Sequence, residues 1–182
     1  MPFGLPGLSQ EELGTFSRWI VAGAPGPTRD EMAARSASGK PELIRRWEAF
    51  LNKSDPRSPL VNRYIFEHSF LATVTFAQAP GEFYKLVRSV SPPGEYPIRR
   101  IITARPFDTP YVPGVKKFYY RLQKVTSSYV QKSFFLWSLS DAMLARLEAL
   151  FYEADWPEGG NLDPGYKSHN PFEVYAAMPA KS

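Results

Sequence analysis

Residues 59–76 read Pro-Leu-Val-Asn-Arg-Tyr-Ile-Phe-Glu-His-Ser-Phe-Leu-Ala-Thr-Val-Thr-Phe, a long apolar run interrupted by Arg63, Glu67 and His68. Burying a charge costs several kcal/mol, roughly, unless it is paired. A segment that sets a cation, an anion and an imidazole among Tyr, Phe, Ile and Leu therefore either solves a packing problem or builds a site. On a helix, Arg63 and Glu67 are four apart and can pair. Tyr64 and His68 share an adjacent stripe. The predicted network has Glu67 accepting from Arg63, and His68 bonded to Tyr64 or to a backbone carbonyl. An imidazole in an apolar pocket moves protons near neutral pH; the same residues also serve as a satisfied ion pair that fixes helix packing.

The rest of the chain supplies a scaffold. At 182 residues and 43% hydrophobic content it can bury the core of one domain, or of one domain with a small appendage. Ser9 and Glu12 form a capping box that opens a first helix over about 10–22, with Leu13, Phe16, Trp19 and Ile20 at helical spacing. Residues 24–40 read as a linker with one weak helical turn. Pro41 starts a second helix whose apolar stripe is Leu43, Ile44, Trp47, Phe50 and Leu51. A third runs from about Pro59 to Gln78. The period then changes. Phe83–Val90, Ile98–Ala104, Lys117–Val125 and Tyr129–Leu136 read as strands, with Phe118, Tyr120 and Leu122 on one face. Ser138 or Ser140 caps a last clear helix carrying Met143, Leu144, Leu147, Leu150 and Phe151, and a short element lies near Phe172–Ala177. Helices, a meander and a helix give an α+β fold, with amphipathic helices packed on a small antiparallel sheet.

Charge is unevenly placed. Residues 82–132 hold ten Lys and Arg against three acids. Such a stretch, interleaved with Tyr and Phe, suits phosphates on lipid headgroups or nucleic acid, and it also arises when a strand turns its outward positions to Lys and Arg. Arg105 and Asp108 either staple the loop after a strand or present a guanidinium fork to an anionic headgroup. No nucleic-acid module leaves a signature, and no Gly-rich phosphate loop or nucleophile elbow is present. There is no cysteine, so disulfides, thiol nucleophiles, Cys-bound zinc and thioether-attached haem have no residue to use within these 182. With only His68 and His169, a metal site would need clustered carboxylates, and none are suitably spaced. No apolar run is long enough to cross a membrane as a helix, and the start of the chain lacks the pattern of a signal peptide.

Several stretches in order resemble the bacterial fatty acid cis/trans isomerase family: Met1-Pro-Phe-Gly-Leu-Pro-Gly-Leu, Trp19 to Pro25, Pro59 to His68, Phe83 to Ser89 with Pro92-Pro93-Gly94, Arg105-Pro-Phe-Asp108, Phe118 to Leu122, Val130-Gln-Lys132 and His169 to Phe172. The resemblance implies an isomerase of the bacterial periplasm that turns cis double bonds of phospholipid acyl chains into trans and so stiffens the membrane under stress. It implies a c-type haem attached through a Cys-x-x-Cys-His motif upstream of the region matched, whose iron draws electron density from the double bond. On that basis residues 1–26 are expected to be the end of a cytochrome-like segment, 27–40 a linker and 41–182 an α+β isomerase-family domain. Arg63, Glu67 and His68 are the candidate catalytic lining. Tyr64, Phe66 and Phe70 are expected along the acyl slot, and Arg99, Arg100, Arg105 and Lys117 at headgroup phosphates. Met1 is a candidate axial haem ligand. The expected partners are unsaturated phospholipids, the membrane surface and an upstream haem domain, with no nucleic acid. Two features depart from the family pattern: cysteine is missing, and Thr73 and Phe134 occupy places where the family carries further histidines. A non-catalytic lipid- or partner-binding domain lacking the haem module is the alternative.

Overall fold

The computed structural model describes residues 7–126 and 135–179, and the chain divides after Arg35 into two compact units. The first unit is helical. Helix α1 (Gln10–Val21) opens on the predicted capping box, with Ser9 Oγ accepting from the Glu12 N–H and Glu12 Oε2 accepting from the Ser9 N–H. Helix α2 (Arg29–Ser36) occupies much of the stretch read as linker. It opens on a Thr28–Glu31 capping box: Thr28 Oγ1 accepts from the Glu31 N–H, and the Glu31 carboxylate accepts from the Thr28 N–H.

The second unit holds helices α3 (Pro41–Leu51), α4 (Ser58–Ser69), α5 (Asp141–Tyr152) and α6 (Pro171–Val174) against strands β1 (Thr73–Phe76), β2 (Ala79–Ser89), β3 (Tyr119–Lys124) and β4 (Leu136–Leu139). The fold class is α+β as expected, and the strand order is β3-β2-β1-β4. The sheet is mixed rather than antiparallel. β2 runs antiparallel to β1 and β3, but β1 and β4 pair in parallel from Thr73↔Leu136 to Phe76↔Leu139.

Two expectations about elements fail, each for a physical reason. The third helix does not run to Gln78; it stops at Ser69, and Thr73-Val-Thr-Phe76 is strand β1. Three of those four residues are β-branched, and all four are buried between β2 and β4, where a pleated backbone suits them better than a helix. Residues 98–104 form no strand. Arg100 makes one isolated bridge to Ser89, and the flanking Pro97 and Pro106 limit further pairing. The fourth predicted strand begins later, at Leu136, and its earlier part lies outside the described residues. α5 starts at Asp141 with Ser140 as its cap, the Met143 N–H donating to Ser140 Oγ.

The main core cluster is built from Trp47, Phe50 and Leu51 of α3, Val61, Ile65 and Phe66 of α4, Val74, Phe76, Tyr84, Leu86, Tyr120 and Leu122 of the sheet, and Leu144 and Phe151 of α5, and a smaller one joins Leu60 of α4 to Val174 and Ala177. The outer edge of β3 is covered by α3 side chains instead of a strand. Asn52 Oδ1 accepts from the Tyr120 N–H and Asn52 Nδ2 donates to the Tyr120 carbonyl, while Glu48 Oε1 accepts from the Leu122 N–H. Glu48 also pairs with Arg121 at 2.8 Å, both side chains enclosed. Burial pushes the Glu48 carboxyl up, against the pull of the Leu122 N–H and Arg121. These side chains satisfy edge groups that would otherwise recruit another chain.

Candidate functional site

Helix α4 turns Leu60, Val61, Ile65 and Phe66 inward, and Arg63 is carried in with them. The predicted pair forms: Arg63 Nε donates to Glu67 Oε1 at 2.6 Å, with the two side chains 4% and 13% exposed. The rest of the guanidinium is satisfied by the C-terminal tail, through the Gly165 carbonyl and the Ser168 carbonyl at 3.4 Å, and it lies over the Tyr166 ring at 4.4 Å. The second Glu67 oxygen accepts from the Tyr175 hydroxyl at 2.5 Å. Burial, and then the Glu67 carboxylate, push the Tyr175 phenol far up, so it stays a donor.

A second buried cation completes this centre. Arg88 sits on the same face of β2 as Tyr84 and Leu86, directly opposite Tyr120 of β3. Its Nη1 donates to the Asp108 carbonyl at 2.9 Å and its Nη2 to Thr103 Oγ1 at 2.7 Å, while its Nε has no partner among the described residues. The guanidinium stacks over Phe66 at 4.6 Å and lies 6.0 Å from the Tyr166 ring. Among the described residues it pairs with no carboxylate. Burial, then the adjacent Tyr166 phenol, hold the Tyr120 hydroxyl well above its ordinary value, with Arg88 pulling the other way. Tyr166 is also raised by burial, against Arg88 and Arg63. Two guanidiniums thus flank Tyr166 in a low-dielectric surround with one carboxylate, Glu67, which is bound to Arg63 and not to Arg88, leaving a net positive potential.

Beside this centre lies a cavity of about 720 Å³, within the size range of small-ligand sites. Arg63, Tyr111, Phe118, Tyr120 and Tyr166 wall it, Asn62 contributes from α4, and the exposed Lys116 and Lys117 stand at its edge. Asn62 is 4% exposed, and its Oδ1 takes no hydrogen bond.

The sequence candidates do not all converge here. Arg63 and Glu67 form the centre, and Phe66 packs under Arg88, with Phe70 at 5.7 Å from Phe66. His68 is exposed and takes no part in the centre; Tyr64 is half-buried beside it, packed on Phe151 and on the same Tyr175 whose hydroxyl bonds Glu67. The His68 ring stacks 4.0 Å from Tyr64, and its Nδ1 bonds the Tyr64 carbonyl at 2.8 Å. A carbonyl only accepts, so Nδ1 carries the proton. His68 and Tyr64 border a separate groove of about 500 Å³ with Phe172, Tyr175 and Met178. Lys117 stands at the edge of the main cavity, over the Tyr119 ring at 5.1 Å. Arg99 and Arg100 are exposed at the end of the sheet. Arg105 staples its loop to Asp108 at 3.1 Å, and Asp108 also caps the Arg105 N–H. Met1 lies outside the described residues. Arg88, Tyr120, Tyr166, Tyr175 and Asn62 were not singled out in the sequence. Arg88 left a trace, a charge at the inward parity of a strand; Tyr166 and Tyr175 lie in the Gly- and Pro-rich tail and left none.

Covalent attachment of the haem implied by the resemblance has no residue to use within these 182. Cysteine is absent from the 182 residues, and no three His, Asp or Glu side chains gather to hold a metal among the described residues.

Fold and cavity together define an α+β protein with an aromatic-walled pocket set against buried fixed charge. The family description that matches is the fatty acid cis/trans isomerase, over residues 1–182. The chain belongs to that family. No curated protein and no solved structure matches it.

Proposed function

We propose that this chain is the acyl-holding part of a periplasmic isomerase that converts cis double bonds of unsaturated phospholipid chains to trans. The observation that carries the reading is the aromatic cavity beside Arg63, Glu67 and Arg88, in a chain of this family. Tyr111, Phe118, Tyr120 and Tyr166 offer flat apolar faces to a hydrocarbon chain, while Asn52, Lys53, Ser54 and Asp55 give the same cavity a polar portion. Thermal rotation about an isolated double bond is too slow, so an electronic step is required. What these residues contribute is position and a preorganised positive potential beside the π-bond. The 182 residues hold no cysteine to attach a haem covalently. The lack of cysteine also favours a second reading, a lipid- or partner-binding domain without chemistry of its own.

The test is a titration with a fluorescent conjugated cis-polyene fatty acid. Saturable binding at one site is expected, displaced by a cis-monounsaturated acyl competitor. Phe118→Ala should weaken it about tenfold, the loss of one aromatic face. Absence of saturable binding, or unchanged affinity in Phe118→Ala, would contradict the cavity assignment.

A further inference from the structure

The end of the sheet where the main cavity opens carries a surface that starts at the pocket's edge, at Tyr111, Lys116 and Lys117, and extends beyond it. Ser89, the last residue of β2, pairs with Tyr119 on one side and with Arg100 on the other. Neighbouring strands are about 4.8 Å apart, so the two flanking chains are about 10 Å apart. Both are antiparallel to β2, so both Arg99 and Lys116–Lys117 extend beyond the same end. Arg99, Arg100, Lys116 and Lys117 are all exposed. Within residues 89–107 and 109–119 Glu95 is the only acid, 3.8 Å from Arg99; Asp108, between those stretches, is turned to Arg105. Two tyrosines accompany these cations, Tyr96 at 58% and Tyr111 at 53% exposure.

The loop that presents Tyr96 and Arg99 is held from beneath. The Arg121 guanidinium, buried in the domain, donates to the Ser91 carbonyl at 3.2 Å, the Pro92 carbonyl at 2.5 Å and the Glu95 carbonyl at 3.1 Å, and lies 5.2 Å from the Tyr96 ring. Ser91 Oγ donates to the Pro97 carbonyl and accepts from the Arg99 N–H. The backbone is satisfied from inside, and Arg99 Nε donates to Ser91 Oγ at 3.3 Å, so the loop is already ordered and little ordering cost remains on binding.

We propose that Tyr96, Arg99, Arg100, Tyr111, Lys116 and Lys117 form a docking surface for an anionic phospholipid bilayer. Basic side chains meet the negative surface potential, and half-exposed tyrosines suit the headgroup level, where amphipathic rings accumulate. Tyr111, Lys116 and Lys117 also border the main cavity, so the docked protein faces the membrane with that opening. This deepens the lipid reading by naming how substrate is approached, and it is tested without a double bond.

The full chain is sedimented with vesicles of fully saturated lipid, either neutral phosphatidylcholine or a mixture with about 30 mol % phosphatidylglycerol. Binding to the anionic vesicles is expected, falling more than about tenfold when salt is raised to about 0.5 M. The variant R99Q/R100Q/K116Q/K117Q should lose more than about a hundredfold, at about fivefold per charge. Because the four side chains are exposed, its far-ultraviolet spectrum and melting temperature should match the parent. Tyr96→Ala with Tyr111→Ala should weaken binding that persists in high salt. Equal partition into neutral and anionic vesicles, or undiminished binding by the folded quadruple variant, would overturn the surface. So would salt-sensitive binding to duplex DNA with none to anionic vesicles. Acyl-probe binding in the cavity is a separate readout, and its failure leaves these outcomes interpretable.

Discussion

Removing the Glu67 carboxylate is the sharpest perturbation of the buried centre. In Glu67→Ala, Arg63 and Arg88, both under 5% exposed, flank Tyr166 with no carboxylate between them. Breaking a buried pair by removing one partner costs about 3–5 kcal/mol. Arg63 keeps the Gly165 and Ser168 carbonyls and the Tyr166 face, which places its share near the lower end, about 2–3 kcal/mol. Tyr175 loses its only acceptor in the centre, adding about 1 kcal/mol. The expected loss is therefore about 3–4 kcal/mol, or about 6–16 °C in melting temperature for a domain of this size. Glu67→Gln keeps acceptors in place and should cost about half as much. Replacing both Arg63 and Glu67 by Met removes both charges and should cost less than the two single changes added together, a coupling of about 2 kcal/mol. Urea unfolding followed by far-ultraviolet circular dichroism measures each of these variants and the two single Met changes that the coupling requires. A loss below about 1 kcal/mol in Glu67→Ala, or additive single changes, would show that the pair is solvated and that no buried cationic centre exists.

Stability should also depend on acid pH through Glu82. Burial opposes ionisation there, but donors from Lys124, Tyr84 and the Gly39 N–H outweigh it and hold the carboxyl at about 2. A folded value below the unfolded one means the stabilisation is complete above about 4.5 and is lost as pH falls toward 2, on the order of 2–3 kcal/mol. Glu82→Gln should flatten that part of the pH–stability curve, and a curve of unchanged slope between those limits would count against the arrangement. Gly160→Ala should destabilise by about 1–3 kcal/mol, because the added Cβ would meet the Ala177 Cβ at 2.7 Å and push on the tail that carries Tyr166 and Tyr175; a neutral result in thermal melts would mean the tail is not packed this way.

Local signals read well where they were self-contained. The Ser9–Glu12 box, the Pro41 start, the Ser140 cap and the i, i+4 pairing of Arg63 with Glu67 needed only helical geometry. Errors came where tertiary placement decided. Thr73–Phe76 continues an apolar run, so periodicity could not separate helix from strand; burial between β2 and β4 did. Arg99-Arg100 resembled the outward face of a strand, but only one bridge forms. His68 and Glu67 are adjacent in sequence, yet one is exposed at a surface groove and the other is turned to Arg63 in the centre, with Tyr175 between the two environments. The tail residues that close the centre, Gly165, Tyr166, Ser168 and Tyr175, lie about a hundred positions from Arg63 and Glu67, beyond any local pattern.

The most direct measurement is photo-crosslinking with a phospholipid that carries a diazirine beside the cis double bond, followed by mass spectrometry of the labelled peptides. Label on residues 111–120 and 163–166, suppressed by unlabelled cis-unsaturated lipid, is the predicted result. Label confined to the His68–Phe172–Met178 groove, or spread without competition, would contradict the placement of the acyl chain beside Arg63 and Arg88.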